Sequence, residues 1–391
     1  MDSIHFEDRP SAHTLSLLDY MVNPLRQHVE KTYSAPFATR QYTKETLERP
    51  NGKTVRIYPK LIYAGAHLKK NDSKTRDITT RIIKGILQGT LSAILLTAII
   101  LGIYDLFIKI VLRNDPQQGR EKRPSKRTVM TVMKMSLALA IPLAILVNMA
   151  PYYHIFGTDK VGSDVFYRSI KSIRTGMVIG CVTTLIVIPF AIFFGVVAGY
   201  FGGIIDDMIQ YVYSTLASIP SVLLIVSFML LVELGESVGD IAWRADRRLL
   251  SLCIIMGITS WTGLCRLIRG ETLKLREHEY VHAARSFGVN QLKILSRHIV
   301  PNLMHIVLIS FILRFSGLVL AEAVLAYIGI GVDPSMESWG NMINTARLEL
   351  AREPVVWWNL IAAFFFMFGL VLPANLFGDA LRDALDPRLK T

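Results

Sequence analysis

The stretch Glu279-Tyr280-Val281-His282-Ala283-Ala284-Arg285-Ser286-Phe287-Gly288, resumed by His298-Ile299-Val300-Pro301-Asn302, forms the centre of a polar island, Gly270 to Asn302, set between two apolar runs. Tyr280, Ala283, Ala284 and Phe287 stand at helical spacing i, i+3, i+4, i+7, whereas Arg276, Glu279, His282 and Arg285 fall largely on other faces. Gly288 then permits a turn with positive φ, which a larger side chain resists. Beyond it Leu292, Leu295 and Ile299 repeat the apolar spacing, and Pro301 is predicted to interrupt the chain just before the next apolar run. The reading is a short amphipathic helix, a turn and a second short helix, held at both ends by membrane segments. An element tied in that way can transmit mechanical force.

The apolar runs themselves set the class. Of 391 residues, 51% are hydrophobic against 19% charged, mean hydropathy is +0.38, and the apolar residues come in long blocks, which excludes an ordinary soluble enzyme. Runs at about 82–112, 130–151, 175–199, 208–232, 249–267, 303–331 and 355–378 approach or exceed the ~20 residues a bilayer core needs. The expectation is a polytopic helical bundle with seven spans. Short loops rich in Lys and Arg stay in the cytoplasm. Arg266, Arg269, Lys274, Arg276, Arg285, Lys293 and Arg297 place the island on that side, and Arg113, Arg120, Lys122, Arg123, Lys126 and Arg127 do the same for the 113–128 loop. Counting spans from the second onward puts Gly202-Gly203 and the C-terminal end there too. The formal net charge of +12 is thus chiefly a topology signal plus attraction to anionic lipid headgroups, and no basic-aromatic module points to nucleic acid.

The first 80 residues are polar, show no apolar signal-peptide core and run into Lys69, Lys70, Lys74, Arg76, Arg81 and Lys84. Basic residues therefore flank both ends of the first span, and charge leaves two alternatives. Either the polar head lies outside, or 82–112 does not cross fully. Asp105 and Lys109, one turn apart in this run, are spaced to pair. Arg49-Pro50-Asn51-Gly52 before Thr54-Val55-Arg56-Ile57-Tyr58 reads as a turn into a strand, so the head is expected to hold a small accessory domain.

Within the spans, Gly195, Gly199 and Gly203 recur every fourth residue and leave one side of the third span nearly bare, so another helix can approach closely. Pro189, Pro220 and Pro373 remove backbone donors inside apolar runs and are expected to kink them. Tyr152, Tyr153, Trp357 and Trp358, near span ends, read as interfacial anchors. Arg314 and Glu322 lie about two turns apart in the sixth span, on adjoining faces. They are expected in the bundle interior, as a structural pair or a contact to a partner subunit rather than as substrate ligands. Cys181, Cys253 and Cys265 sit in apolar spans and read as small buried side chains.

Two other function classes compete. His278-Glu279-Tyr280-Val281-His282 fits H-E-x-x-H, in which two histidines one helical turn apart hold Zn²⁺ and the glutamate activates water, as in a membrane metalloprotease. That chemistry needs a third protein ligand, Arg285 stands where one extended pattern requires glycine, and no further acidic or histidine cluster follows nearby. An ion-driven secondary transporter would show internal repeats with broken helices and midplane polar clusters. No clear repeat is present, and such a carrier leaves the island without a purpose. No G-x-x-x-x-G-K-[ST] occurs to cradle nucleotide phosphates, so the chain is read as having no catalytic site, no metal and no cofactor, its energy coming from elsewhere.

The island resembles the "EAA" loop of ABC importer permeases, whose coupling helix fits a groove in a cytoplasmic ATPase. Ala283-Ala284, Gly288 and Pro301 stand at that motif's spacing, with His282 in place of its glutamate and Val300 in place of its leucine. Other segments are similar to the C-type permease of dipeptide and oligopeptide ABC importers. These are His154-Ile155-Phe156-Gly157-Thr158-Asp159 with Gly162, Asp164-Val165 and Arg168, where Ser163 replaces the usual arginine; Gly199-Tyr200-Phe201-Gly202-Gly203 with Asp206 and Ile219-Pro220-Ser221; Glu322-Ala323 with Tyr327-Ile328-Gly329-Ile330-Gly331-Val332 and Ser338-Trp339-Gly340; and Gly378-Asp379-Ala380-Leu381-Arg382-Asp383 with Asp386-Pro387-Arg388. The resemblance covers about residues 130–390.

It implies an all-α transmembrane bundle of the type I importer permease kind, with six family spans plus one extra N-terminal span. The matching domains are a polar extension at 1–80, an extra span and basic loop at 81–128, and a permease domain at 129–391 with its coupling loop at 270–302. It further implies ATPase coupling through Glu279, Tyr280, His282, Ala283, Ala284, Phe287, Gly288 and Pro301 in the inner membrane of a bacterium. The implied partners are a second homologous permease, two ABC ATPase subunits, an extracytoplasmic peptide-binding protein and the lipid bilayer. Di- and oligopeptides are the implied cargo, with nickel or another small solute as the alternative.

Overall fold

In lipid no water completes the hydrogen bonding of a backbone, so an apolar run satisfies its own N–H and C=O groups by becoming a helix. The computed structural model describes residues 23–48, 54–68, 73–111, 125–235 and 241–385. Among these, six helices are long and apolar enough to cross a membrane, and one bent helix pair makes a seventh if taken as a single span. The chain divides into two compact units, Met21–Tyr167 and Arg168–Thr391.

The Met21–Tyr167 unit holds α1 (Asn23–Gln27), strands β1 (Glu45–Glu48) and β2 (Thr54–Ile57), and two long helices, α2 (Lys74–Val111) and α3 (Lys126–Met149). The strands pair antiparallel, Glu45 opposite Ile57 and Glu48 opposite Thr54. The strand expected at Thr54 is therefore present, and the all-α expectation holds for the spans but not for this head. The turn Arg49–Gly52, residues Lys69 and Lys70, most of the 113–128 loop and the Lys109 side chain expected to meet Asp105 lie outside the described residues.

Helices α2 and α3 run antiparallel at backbone contact. A Cβ built on Gly85 would stand 2.7 Å from the Ile145 Cα, and one on Gly89 would stand 2.6 Å from the Ile141 Cα. Farther along, the Thr97 and Ser136 hydroxyls meet at 2.6 Å. Gly85, Gly89, Ala93 and Thr97 thus form a small-residue stripe at every fourth position, the arrangement that lets membrane helices close on each other without large side chains between them.

The head sits where α2 begins and α3 ends. His67 Nε2, Arg81 Nε and the Tyr153 hydroxyl converge on Asp77 Oδ2 at 2.8, 2.9 and 2.8 Å, and the Arg81 guanidinium lies 3.4 Å from the centre of the Tyr152 ring. Tyr153 is consequently buried, a correction to its reading as an interfacial anchor: its hydroxyl finds a carboxylate instead of water. Glu30, also buried, accepts hydrogen bonds from the N–H groups of Ile62, Tyr63 and Ala64 at 2.8, 2.9 and 3.2 Å. His154 places Nδ1 2.5 Å from Asp164 Oδ2 and Nε2 3.5 Å from Glu30 Oε1. The head is thereby welded to the Tyr152–Asp164 loop beyond α3. Head and loop thus lie at the same end of the α2–α3 pair, opposite the end at which Val111 and Lys126 stand.

The Arg168–Thr391 unit takes up α4 (Val165–Phe201) from Arg168 onward and continues with α5 (Gly203–Ser218), α6 (Ser221–Leu234) and α7 (Ile241–Arg276). The island gives α8 (Glu279–Ser286), α9 (Gln291–Ile294) and a π turn, Leu295–Ile299. Then come α10 (Val300–Tyr327), α11 (Trp339–Glu349) and α12 (Trp358–Leu385). One core joins Val187, Trp261, Leu264 and Ile268 to Val281, Ile294, Ile299 and Leu303 of the island end, and another gathers Ile179, Ile225, Met256, Leu318, Leu325 and Val332.

Three expectations need correction here. The run at 208–232 is no single helix: α5 and α6 meet at 83°. Pro220 has no N–H to donate and drives Ile219 into the extended region, φ −88° and ψ 129°, which a helix cannot continue through. Pro301, by contrast, interrupts nothing. It occupies the first turn of α10, where a missing N–H costs no intrahelical bond, and the π turn before it absorbs the crowding, so one span runs from Gln291 to Tyr327. Trp358 is buried rather than interfacial, whereas its neighbour Trp357 remains half exposed.

Candidate functional site

The island folds as its spacing suggests, but with its faces reversed. The extended His278 precedes α8, whose first turn holds Glu279, a favourable place for negative charge. Val281 is fully buried in the island-end core and Ala284 packs partly against it. Tyr280 is 41% exposed and Phe287 86% exposed, with Ala283 also outward. The stripe counted from Tyr280 is therefore the outer face, not the buried one, with Ala284 at its edge. Val281 is the anchor that the i, i+3, i+4, i+7 count passed over.

The end of α8 is a complete Schellman cap. Gly288, at φ +71°, donates its N–H to the Arg285 carbonyl at 3.0 Å, and Val289 donates to that of Ala284 at 3.1 Å. Asn290 then caps α9, its Oδ1 accepting from the Leu292 N–H at 3.0 Å. Tyr280 reaches across the island, with its hydroxyl 3.3 Å from Asn302 Nδ2 and its ring 6.1 Å from that of His298. The two short helices are thus one rigid piece, continuous through the π turn and Pro301 with α10.

The other end is joined to α7, and four arginines on or beside it face α4 and α5. Arg266 stacks over the Tyr213 ring of α5 at 5.2 Å. Arg269 Nε and Nη2 donate to Asp206 Oδ1 and Oδ2, each at 2.5 Å, a two-pronged pair with the first turn of α5. Arg276 Nη1 donates to the Gly199 carbonyl at 3.2 Å, and Arg285 of α8 lies 5.1 Å from the Tyr200 ring of α4. In the sequence these cations read only as markers of the cytoplasmic side.

Gly195 and Gly199 make the close approach possible. Cβ atoms there would stand 2.8 Å from the carbonyl oxygens of Cys265 and Arg269. Gly203 does not extend that stripe. Helix α4 has ended at Phe201, Gly202 and Gly203 take φ of +67° and +54° in the turn into α5, and no atom lies within 4 Å of a Cβ built on Gly203.

Arg314 and Glu322 do not meet each other. Arg314 Nη1 donates to the Ser260 carbonyl of α7 at 2.9 Å. Glu322, 3% exposed, lies against the start of α11, its Oε1 2.7 Å from where a Gly340 Cβ would be. Eight residues turn the helix far enough to give each charge its own neighbour.

The H-E-x-x-H geometry also fails. His278 is extended, φ −71° and ψ 144°, so the two histidines do not share a helical face. His278 stacks near Tyr280 and His282 Nε2 lies 3.5 Å from Glu277. Among the described residues no three His, Cys, Asp or Glu side chains come together as metal ligands. The exposed Glu277 carboxyl is held below its usual range by the Arg276 hydrogen bond.

Comparison with known proteins fits this geometry. The family described as binding-protein-dependent transport system inner membrane component matches residues 191–391. The dipeptide transport system permease protein of Bacillus subtilis is 31% identical over 61% of this chain and 69% of that protein. The oligopeptide transport system permease protein of the same organism is 32% identical over 61% and 72%. The glutathione transport system permease protein of Pectobacterium atrosepticum is 32% identical over 61% and 74%.

Proposed function

This chain belongs to the family of binding-protein-dependent transport system inner membrane components, and from that premise we propose that the 279–302 island couples its bundle to a cytoplasmic ATPase to import di- and oligopeptides. The chain is a multi-pass inner-membrane permease subunit. Its work in this reading is mechanical. ATP is bound and hydrolysed by two partner subunits, a second homologous permease completes the path, and an extracytoplasmic receptor delivers the cargo.

The observation that supports this reading is the outward face of α8. Val281 anchors the helix in the core while Tyr280, Ala283 and the 86% exposed Phe287 project away from it. A large aromatic held on a rigid, capped helix at the cytoplasmic end of a bundle loses little entropy on docking, and such anchors dominate interface energetics. Glu279, His282, Gly288 and Pro301 shape this face or its ends. Closure of the ATPase pair would push α8 and re-tilt α7 and α10, the spans it joins.

Peptides are the favoured cargo because two of the relatives compared carry dipeptide or oligopeptide transport in their names. Arg314 and Glu322 are assigned to the bundle interior or the subunit interface, not to cargo binding. The test is uptake of labelled di- and tripeptides in cells lacking the gene, complemented with the wild-type chain or Phe287→Ala. Wild type should restore uptake, and the variant should restore at most a tenth of it while reaching the membrane in equal amount. Uptake unaffected by the deletion, or a full rescue by the variant, would overturn the proposal.

A further inference from the structure

The island-end geometry holds a linkage that the coupling helix alone does not explain. Asp206 is buried in the first turn of α5, one turn beyond the Gly202-Gly203 corner. Its carboxylate is gripped by both prongs of Arg269, at 2.5 Å each, and receives the Gln210 amide at 3.2 Å. Arg269 lies two turns before the end of α7, and one turn on, Thr272 packs against bare Gly199, whose prospective Cβ stands 2.7 Å from the Thr272 Cβ. Another turn on, Arg276 closes onto the Gly199 carbonyl. The last two turns of α7 therefore hold the end of α4 and the start of α5 together, immediately before α8.

Beyond that grip the helical run is broken. α5 and α6 are separated by the Ile219–Pro220 break and bent by 83°. No helical hydrogen bond crosses a proline junction of this kind, so the angle between the two pieces is set by what holds each of them. α6 packs against α7 in the second core through Ile225 and Met229. α5 is held at its start by Arg269 and farther along by Tyr213, buried in the first core with Ile209 and Leu216 packed against it, while Ile204, Met208 and Tyr211 on its opposite side are exposed. A push on the end of α7 thus reaches the first turn of α5 through Asp206, and the break is where α5 can turn relative to α6.

We infer that the Asp206–Arg269 pair is the tie through which movement of the coupling island changes the α5–α6 angle, making both side chains positioning residues for transport. The inference rests on the coupling role proposed above. An arginine fork fixes two bonds in one plane and transmits both displacement and orientation, which a single-point ammonium cannot do. Asp206→Asn removes the charge and one acceptor at nearly constant shape, and Arg269→Lys keeps the charge but removes the fork. The exchange Asp206→Arg with Arg269→Asp restores opposite charges across the same contact.

The experiment uses the complex purified from native membranes through a tag on this chain, with spin labels at Tyr211→Cys and Leu223→Cys, exposed positions on either side of the break. The inter-label distance is measured without nucleotide and with ATP plus vanadate, alongside ATP turnover and recovery of the ATPase subunits. In the otherwise wild-type labelled complex the distance should change by several ångströms. In Asp206→Asn and Arg269→Lys the change should be lost although the ATPase co-purifies and turns over ATP, and the exchanged pair should recover at least half of it. A wild-type change retained in Asp206→Asn, or no change in the wild type while ATP is hydrolysed, would overturn the inference. Should Asp206→Asn fail to assemble, Arg269→Lys decides alone, since its charge is preserved. An absence of any ATPase from the wild-type complex would instead overturn the coupling reading on which the inference stands.

Discussion

Gly288 shows how one residue type can fix an element's direction. At φ +71° it occupies the left-handed region that closes the Schellman cap, and no atom lies within 4 Å of a Cβ built there. Valine would therefore meet strain rather than a clash, about 1–2 kcal/mol, which the island relieves by tilting α8. Gly288→Val is expected to insert normally and to lose cargo-stimulated ATP hydrolysis at least tenfold in the assembled complex; normal stimulation would refute the role of this turn. His154 gives a second test. Burial lowers its pKa, but the Asp164 hydrogen bond and the negative charges of Asp164 and Glu30 outweigh that and raise it from 6.5 to about 9. A raised pKa means the stabilisation is complete below about 6.5 and is lost as pH climbs through about 9. Glu30 has the opposite sense. Burial raises it, yet the nearby His154 ring and the hydrogen bonds from three backbone N–H groups hold it below its ordinary value, so its contribution fades only in acid. Tryptic cleavage of the head in outward-facing vesicles is therefore expected to accelerate between pH 7 and pH 10, and His154→Gln should abolish that dependence. The spacing of Gly288 was legible in the sequence. The Glu30–His154–Asp164 cluster was not, because its members come from segments more than a hundred residues apart and only the fold brings them together.

At the scale of elements, two stripes of small residues set the helix pairs. Gly195 and Gly199 were visible as a four-residue repeat, and their Cβ positions do fall against α7, whereas Gly203 shares the spacing but lies past the end of α4. Periodicity counts residues and cannot tell that a helix has stopped, and here two positive-φ glycines stop it. The equally regular Gly85, Gly89, Ala93, Thr97 stripe went unread because its last two members are not glycine, although it marks the tightest helix contact of the Met21–Tyr167 unit. Replacing Gly199 by leucine is expected to destabilise the bundle by about 1–3 kcal/mol, since the opposing atom is the Arg269 carbonyl and backbone cannot move aside as a side chain would. Thermal unfolding in detergent measures this, and an unchanged midpoint would show that α4 and α7 do not pack as described. The prolines teach the same caution. Helices α4 and α12 continue through Pro189 and Pro373, Pro301 sits harmlessly in a first turn, and only Pro220 breaks its helix. Residue identity alone does not separate these cases, but position within the hydrogen-bond ladder does.

For the whole molecule, composition was enough to fix a multi-span bundle, because bilayer thickness is a crude, strong constraint, while the Lys and Arg of its loops set the expected side of the island. Charge left the first span open, because basic residues flank both its ends. The head packs on the Tyr152–Asp164 loop at the end of the α2–α3 pair opposite Val111 and Lys126, a relation that no charge count supplies. Two features stand out, one in each unit: a small head joined to the Tyr152–Asp164 loop in the Met21–Tyr167 unit, and in the other a capped helix with an exposed aromatic face. The central claim is that this aromatic face docks on an ATP-hydrolysing subunit. Ser286, exposed on α8 beside Phe287, offers the most direct measurement. In membranes carrying Ser286→Cys, a short thiol-directed crosslinker is expected to join this chain to a co-purifying ATPase subunit, with a yield that changes when ATP and vanadate are added. Labelling of that cysteine by a membrane-impermeant reagent from outside intact cells, or an assembled complex in which it never crosslinks to an ATPase, would contradict the account.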